Sequence, residues 1–102
     1  MSRVFTNGGF DIFHRGHLQM LEYCASLGEE LIVGIDSDLR VAELKGPSRP
    51  INNEEDRKYM LLCLKWVDHV VIFNDESELI NLVKDTEPTY MIVGEDYRDK
   101  KS

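Results

Sequence analysis

Long apolar runs are missing from this sequence, and so is any excess of positive charge. No apolar stretch is long enough to cross a bilayer and no secretory leader pattern opens the chain, so a cytoplasmic protein off the membrane is expected. Lys and Arg number 12 against 19 Asp and Glu, a formal net charge of −7. A field of that sign argues against nonspecific attachment to nucleic acid or to an anionic membrane. An anionic substrate must therefore be held by a local basic cluster, with or without a metal ion. Cysteine is scarce too: Cys24 and Cys63 are the only two, both on apolar-patterned helical segments. That excludes a disulfide framework and reads as two buried, reduced thiols. Internal repeats and low-complexity tracts are absent as well.

What is there suits one globular domain. The chain has 102 residues, 42% hydrophobic and 30% charged, which is enough for a single core. Four short apolar runs, Val4 to Thr6, Leu31 to Ile35, His69 to Phe73 and Tyr90 to Val93, alternate with helical patterns. The runs are nearly continuous rather than alternating, as in parallel strands covered on both faces. Leu18, Leu21, Ala25 and Leu27 mark a first helix that Gly28 should stop. A short helical piece follows around Leu39 to Leu44, then a Gly-Pro-Ser-Arg-Pro loop. The next helix is capped by Asn53, with Glu54, Glu55 and Asp56 in its first turn, where acids favour the positive end of the dipole. Ser77 should open a last helix carrying Leu79, Leu82 and Val83, ended before Pro88. Tyr59, Trp66 and His69 read as structural. The order βαβαβαβ predicts an α/β fold with right-handed crossovers.

In such a sheet the fourth strand lies beside the first. Left as an edge, Tyr90 to Val93 is an apolar ladder of the kind proteins avoid. The expectation is a domain over residues 1–102 that is truncated at its C-terminal end, with a fifth strand and a helix missing or supplied by a partner.

The densest signal is Gly8-Gly9-Phe10-Asp11-Ile12-Phe13-His14-Arg15-Gly16-His17. It follows the first strand, where ligands of open α/β sheets bind. Gly8 and Gly9 let the backbone approach a phosphate, or form a plain tight turn. Phe10 and Ile12 read as packing residues, and Asp11 as orienting a histidine or capping the next helix. His14 and His17 precede a helix start, and imidazoles plus a helix N-terminus suit an anion. No Cys or third His stands at ligand spacing, so no metal site is expected here. Gly16 leaves room for a phosphate or base at the helix entrance.

This Gly-x-Phe-Asp-x-x-His-x-Gly-His pattern resembles the signature of the cytidylyltransferase-like nucleotidyltransferases. The resemblance continues through Ser37-Asp38, Leu44-Lys45-Gly46-Pro47-Ser48-Arg49-Pro50, Arg57, Val67-Asp68 and Gly94-Glu95-Asp96-Tyr97. The Lys-Gly-Pro-Ser-Arg-Pro loop and Asp96-Tyr97 look most like the subgroup that adenylylates heptose 1-phosphate in cell-envelope precursor synthesis. The compact format also suits the glycerol-3-phosphate cytidylyltransferase subgroup.

The resemblance implies a Rossmann-like doubly wound sheet of order 3-2-1-4. It implies transfer of a nucleoside monophosphate from ATP or CTP to a small phosphorylated acceptor, with Mg²⁺ accompanying the nucleotide and a homodimer as the assembly. A nucleotide-binding module without turnover is the alternative from another class. His14, His17 and Lys45 would be catalytic. Asn7, Gly8, Gly9, Phe10, Asp11, Gly16, Gly94, Asp96 and Tyr97 would hold the nucleotide. Asp36, Asp38, Arg49 and Arg57 would hold the acceptor or its phosphate. Two departures stand out: Gly9 replaces a frequent Thr, and the family's Ser/Thr-rich C-terminal motif is not in these residues.

Overall fold

The structure is a computed structural model that describes residues 1–93. It comprises β1 (Arg3–Gly8), α1 (Arg15–Leu27), β2 (Glu30–Asp36), α2 (Asp38–Lys45), α3 (Glu54–Leu62), β3 (His69–Phe73), α4 (Glu76–Thr86) and β4 (Tyr90–Val93). The strands form one parallel sheet of order β3-β2-β1-β4. Each of the four apolar runs became a strand, and the order is the expected one.

β1 and β2 occupy the middle of the sheet, which is why both are apolar without alternation. Val4, Leu31, Val33 and Ile35 join Leu21 and Cys24 of α1, Leu61 of α3, and Val67 and Val70 in one core cluster. In register, Val4 stands opposite Leu31 on one side and Tyr90 on the other. The order therefore reverses at β1, and the carboxyl ends Gly8, Asp36 and Phe73 share one edge of the sheet. Among the described residues β4 pairs with β1 alone, and Tyr90 and Met91 are exposed. No described helix is long and apolar enough to cross a membrane.

The caps explain where the helices begin. Ser37 accepts from Arg40 N–H at the start of α2, and Asn53 accepts from Asp56 N–H at the start of α3. Helix α4 starts one residue before the expected Ser77, because Asp75 supplies the capping oxygen to Glu78 N–H. Gly28 ends α1 by a different route than a left-handed cap, its φ being −155°. A Cβ there would lie 2.9 Å from Val4 Cγ2 and 3.1 Å from the Ser2 carbonyl, so close approach to the start of β1 demands glycine. Within β2 the missing Cβ of Gly34 makes room for the Phe5 ring at 3.0 Å.

Two packing expectations are corrected. Cys24 is buried and burial pushes its thiol up to about 11. Cys63, by contrast, is an exposed free thiol, because it follows the last turn of α3 rather than lying on its inner face. Tyr59 is likewise exposed.

Candidate functional site

The glycine loop leaves the carboxyl end of β1 and enters α1. Its left-handed residue is neither glycine but Phe10, at φ 52°. Phe10 is buried, and a Cβ on Gly8 would come within 3.1 Å of its ring. Gly8 thus serves the packing of Phe10. Gly9 is different: its absent side chain would point toward Lys45 Nζ at 3.7 Å and Asp36 Oδ2 at 3.8 Å. The lysine that ends α2 therefore lies against the glycine loop.

His14 and His17 cap α1 reciprocally. His14 Nδ1 accepts from Gly16 N–H at 3.0 Å, and His17 Nδ1 accepts from His14 N–H at 3.2 Å. Their spacing is that of N-cap and N3, so the pair forms a capping box built from imidazoles. With each Nδ1 receiving a backbone proton, the neutral rings carry their own proton on Nε2. The ring centroids lie 3.9 Å apart, and Phe10 and Phe13 contact His17 at 5.3 and 5.7 Å. No acid occupies the first turn of α1, which leaves the positive end of the helix dipole open to an anion from outside the helix. The signal for this capping role is the His-x-x-His spacing directly before a helix.

Asp11 neither orients a histidine nor caps α1. Only 3% exposed, its carboxylate accepts from Asn52 N–H at 2.7 Å, Ile51 N–H at 2.8 Å and Arg49 Nε at 2.9 Å. Asn52 Nδ2 returns a bond to the Asp11 carbonyl. Burial opposes ionisation of Asp11, but the Asn52 and Ile51 amides and Arg49 outweigh it and hold the carboxyl below its ordinary value. Arg49 is thereby engaged with Asp11.

Arg57 is fully buried. Its Nη1 donates to the carbonyls of Gly9 (2.8 Å) and Asp36 (2.6 Å), its Nε to the Asn52 carbonyl (2.9 Å), and its Nη2 to Asp38 Oδ1 (2.9 Å). The guanidinium expected on a phosphate thus joins the glycine loop, the end of β2, the start of α2 and the 49–53 segment. Asp36 and Asp38, expected on the acceptor, are paired with Arg40 and Arg57. Asn7 lies within β1 opposite Gly34 and Val93, and Gly16 lies in the first turn of α1. Gly94, Asp96 and Tyr97 fall outside the described residues. No described group of three or more His, Cys, Asp or Glu could hold a metal ion.

Among the described residues, two cavities of about 530 and about 300 Å³ open at the opposite edge of the sheet. The larger is lined by Arg3, Glu30 and His69, which pair with one another at 3.0 and 2.8 Å through Glu30. Neither cavity includes a residue of the site above.

A parallel sheet with a glycine loop, a histidine-capped helix and a lysine converging at its switch point defines an α/β domain of the doubly wound class, with its candidate site at the carboxyl ends of the strands. The chain belongs to the cytidylyltransferase-like family, whose profile matches residues 5–101. It is 52% identical over 99 residues to the bifunctional protein HldE of Aliarcobacter butzleri, covering 95% of this chain and 20% of that protein. It is 48% identical over 98 residues to HldE of Campylobacter fetus subsp. fetus, covering 96% of this chain and 21% of that protein. The chain therefore spans about a fifth of the length of these relatives. Among solved structures it resembles a lipopolysaccharide core biosynthesis protein from Thermoplasma volcanium GSS1. The TM-score is 0.77 at 33% identity, over 89% of this chain and 72% of that one.

Proposed function

We propose that this domain transfers a nucleoside monophosphate, adenylyl before cytidylyl, to the phosphate of a sugar 1-phosphate such as heptose 1-phosphate. The observation that carries the reading is the pair of imidazoles on a helix whose first turn holds no acid, with Lys45 lying against the same glycine loop. A phosphate oxygen of the acceptor attacks the α-phosphorus of the nucleotide, and the bond to the β,γ-pyrophosphate breaks as the new one forms. The acceptor phosphate is already anionic, so no general base and no covalent enzyme intermediate are needed.

The chain's own contribution is placement and charge. The Nε2–H groups of His14 and His17 and the N-terminus of α1 donate to the oxygens that gain negative charge, and Lys45 answers the leaving pyrophosphate. Mg²⁺ bound with the triphosphate would supply further charge neutralisation. Similarity to HldE proteins and to a lipopolysaccharide core biosynthesis protein supports the sugar phosphate as acceptor.

The test is pyrophosphate release from ATP and CTP, each with heptose 1-phosphate and with glycerol 3-phosphate. ATP with heptose 1-phosphate should be the productive pair. Turnover with CTP and glycerol 3-phosphate alone would replace the acceptor and base named here. Nucleotide binding without release under all four conditions would make the domain a binding module.

A further inference from the structure

The end of β2 carries a charge arrangement that the proposed transfer does not use. Asp36 is largely buried, and its Oδ1 lies 3.0 Å from Arg40 Nε. The Arg40 side chain is 18% exposed. Its guanidinium sits 5.5 Å from the centroid of the Phe73 ring, and Nη2 reaches Glu76 at 4.0 Å. The second carboxylate oxygen of Asp36 turns the other way, toward the glycine loop. A single point beside Gly9 lies 3.8 Å from Asp36 Oδ2 and 3.7 Å from Lys45 Nζ. Among the described residues Lys45 nevertheless forms no ion pair.

A carboxylate in that place opposes a polyphosphate in two ways. It repels the anion directly, and it competes for the ammonium group that should meet the anion. An arginine on Oδ1 counters both effects, because it offsets the carboxylate charge and fixes the carboxylate plane from the far side. The stacking on Phe73 and the contact to Glu76 hold the guanidinium on that side, away from the glycine loop. We propose that Arg40 is a positioning residue for nucleotide binding, which by pairing with Asp36 keeps Lys45 available to the triphosphate. This inference rests on the transfer reading above and deepens it by naming what protects the lysine.

The test compares Arg40→Met, Asp36→Asn and the double variant by the KM for ATP in pyrophosphate release, with calorimetric ATP binding in parallel. Methionine keeps an apolar stem over Phe73 while removing the charge. Arg40→Met should raise the KM for ATP about tenfold, with kcat within about twofold of the parent. Adding Asp36→Asn should return the KM to that of Asp36→Asn alone, since the competing charge is gone. A purely structural Arg40 would show no such rescue.

An unchanged KM in Arg40→Met overturns the proposal, and so does a double variant as impaired as Arg40→Met. If the parent protein releases no pyrophosphate but binds ATP, the transfer reading fails on its own. The calorimetric comparison of the same three variants then decides the role of Arg40. Absence of any ATP binding overturns both.

Discussion

His14 is the N-cap of α1 and, in the proposed reaction, a donor to phosphate, and the two roles have different chemical requirements. Capping needs an acceptor in the Nδ1 position, which receives Gly16 N–H. Donation needs the Nε2–H that this tautomer leaves in place. Asparagine is a good N-cap but carries no group at the reach of Nε2. His14→Asn should therefore unfold in urea at nearly the parental free energy, whereas His14→Ala should lose about 1 kcal/mol. Both should lose pyrophosphate release by about the same factor, roughly 10²–10³. Equal activity of the Asn variant and the parent would confine His14 to the cap.

At the scale of elements, the 49–53 segment is tied to the glycine loop by Asp11, which alone receives Asn52 N–H, Ile51 N–H and Arg49 Nε. Since the folded carboxyl lies below its ordinary value, its contribution is fully present above the ordinary carboxylate pKa. It is lost as the pH falls through the depressed folded value. Asp11→Asn should therefore flatten the acid limb of stability and cost about 1–3 kcal/mol at neutral pH, where a buried amide must replace an acceptor of several N–H groups. Urea midpoints between neutral and acidic pH would show both effects, and an Asn variant with the parental acid limb would refute the assignment. The elements themselves were legible. Continuous apolar runs, Asn53 as a cap, and Gly28 as a stop are local signals, and each marked its place. The partners of Asp11 and Arg57 were not legible, because they depend on which loops the sheet order brings together at one edge. The same holds for Phe10, whose left-handed backbone follows from packing its ring against Gly8 rather than from its residue type. Nor is the approach of Lys45 to Gly9 a local signal, since it depends on where α2 ends relative to the glycine loop.

Across the whole molecule, Arg57 is the residue that makes one site out of separate parts. Two strands' ends, a helix start and a loop reach it, through the carbonyls of Gly9, Asp36 and Asn52 and the carboxylate of Asp38. A phosphate ligand at this position would be exposed and would have donors to spare. Arg57 is instead fully buried, with Nε and both terminal nitrogens engaged. Removing it takes the donor from the buried bonds to the Gly9 and Asp36 carbonyls, at about 1–3 kcal/mol for each buried acceptor left unsatisfied. A domain of this size has only about 5–15 kcal/mol in all. Arg57→Met should therefore lower the urea midpoint sharply before any effect on substrate affinity can be measured. Arg57→Lys separates the readings further. Lysine keeps the positive charge that a phosphate contact uses but cannot reach four acceptors that lie around a planar fork. If Arg57 binds phosphate, the lysine variant should keep its stability and show a raised KM alone. If it is the clip seen here, the lysine variant should lose roughly half or more of the stability that the methionine variant loses. Its remaining folded fraction should have a lowered kcat, because Gly9 and the start of the glycine loop are no longer held against β2.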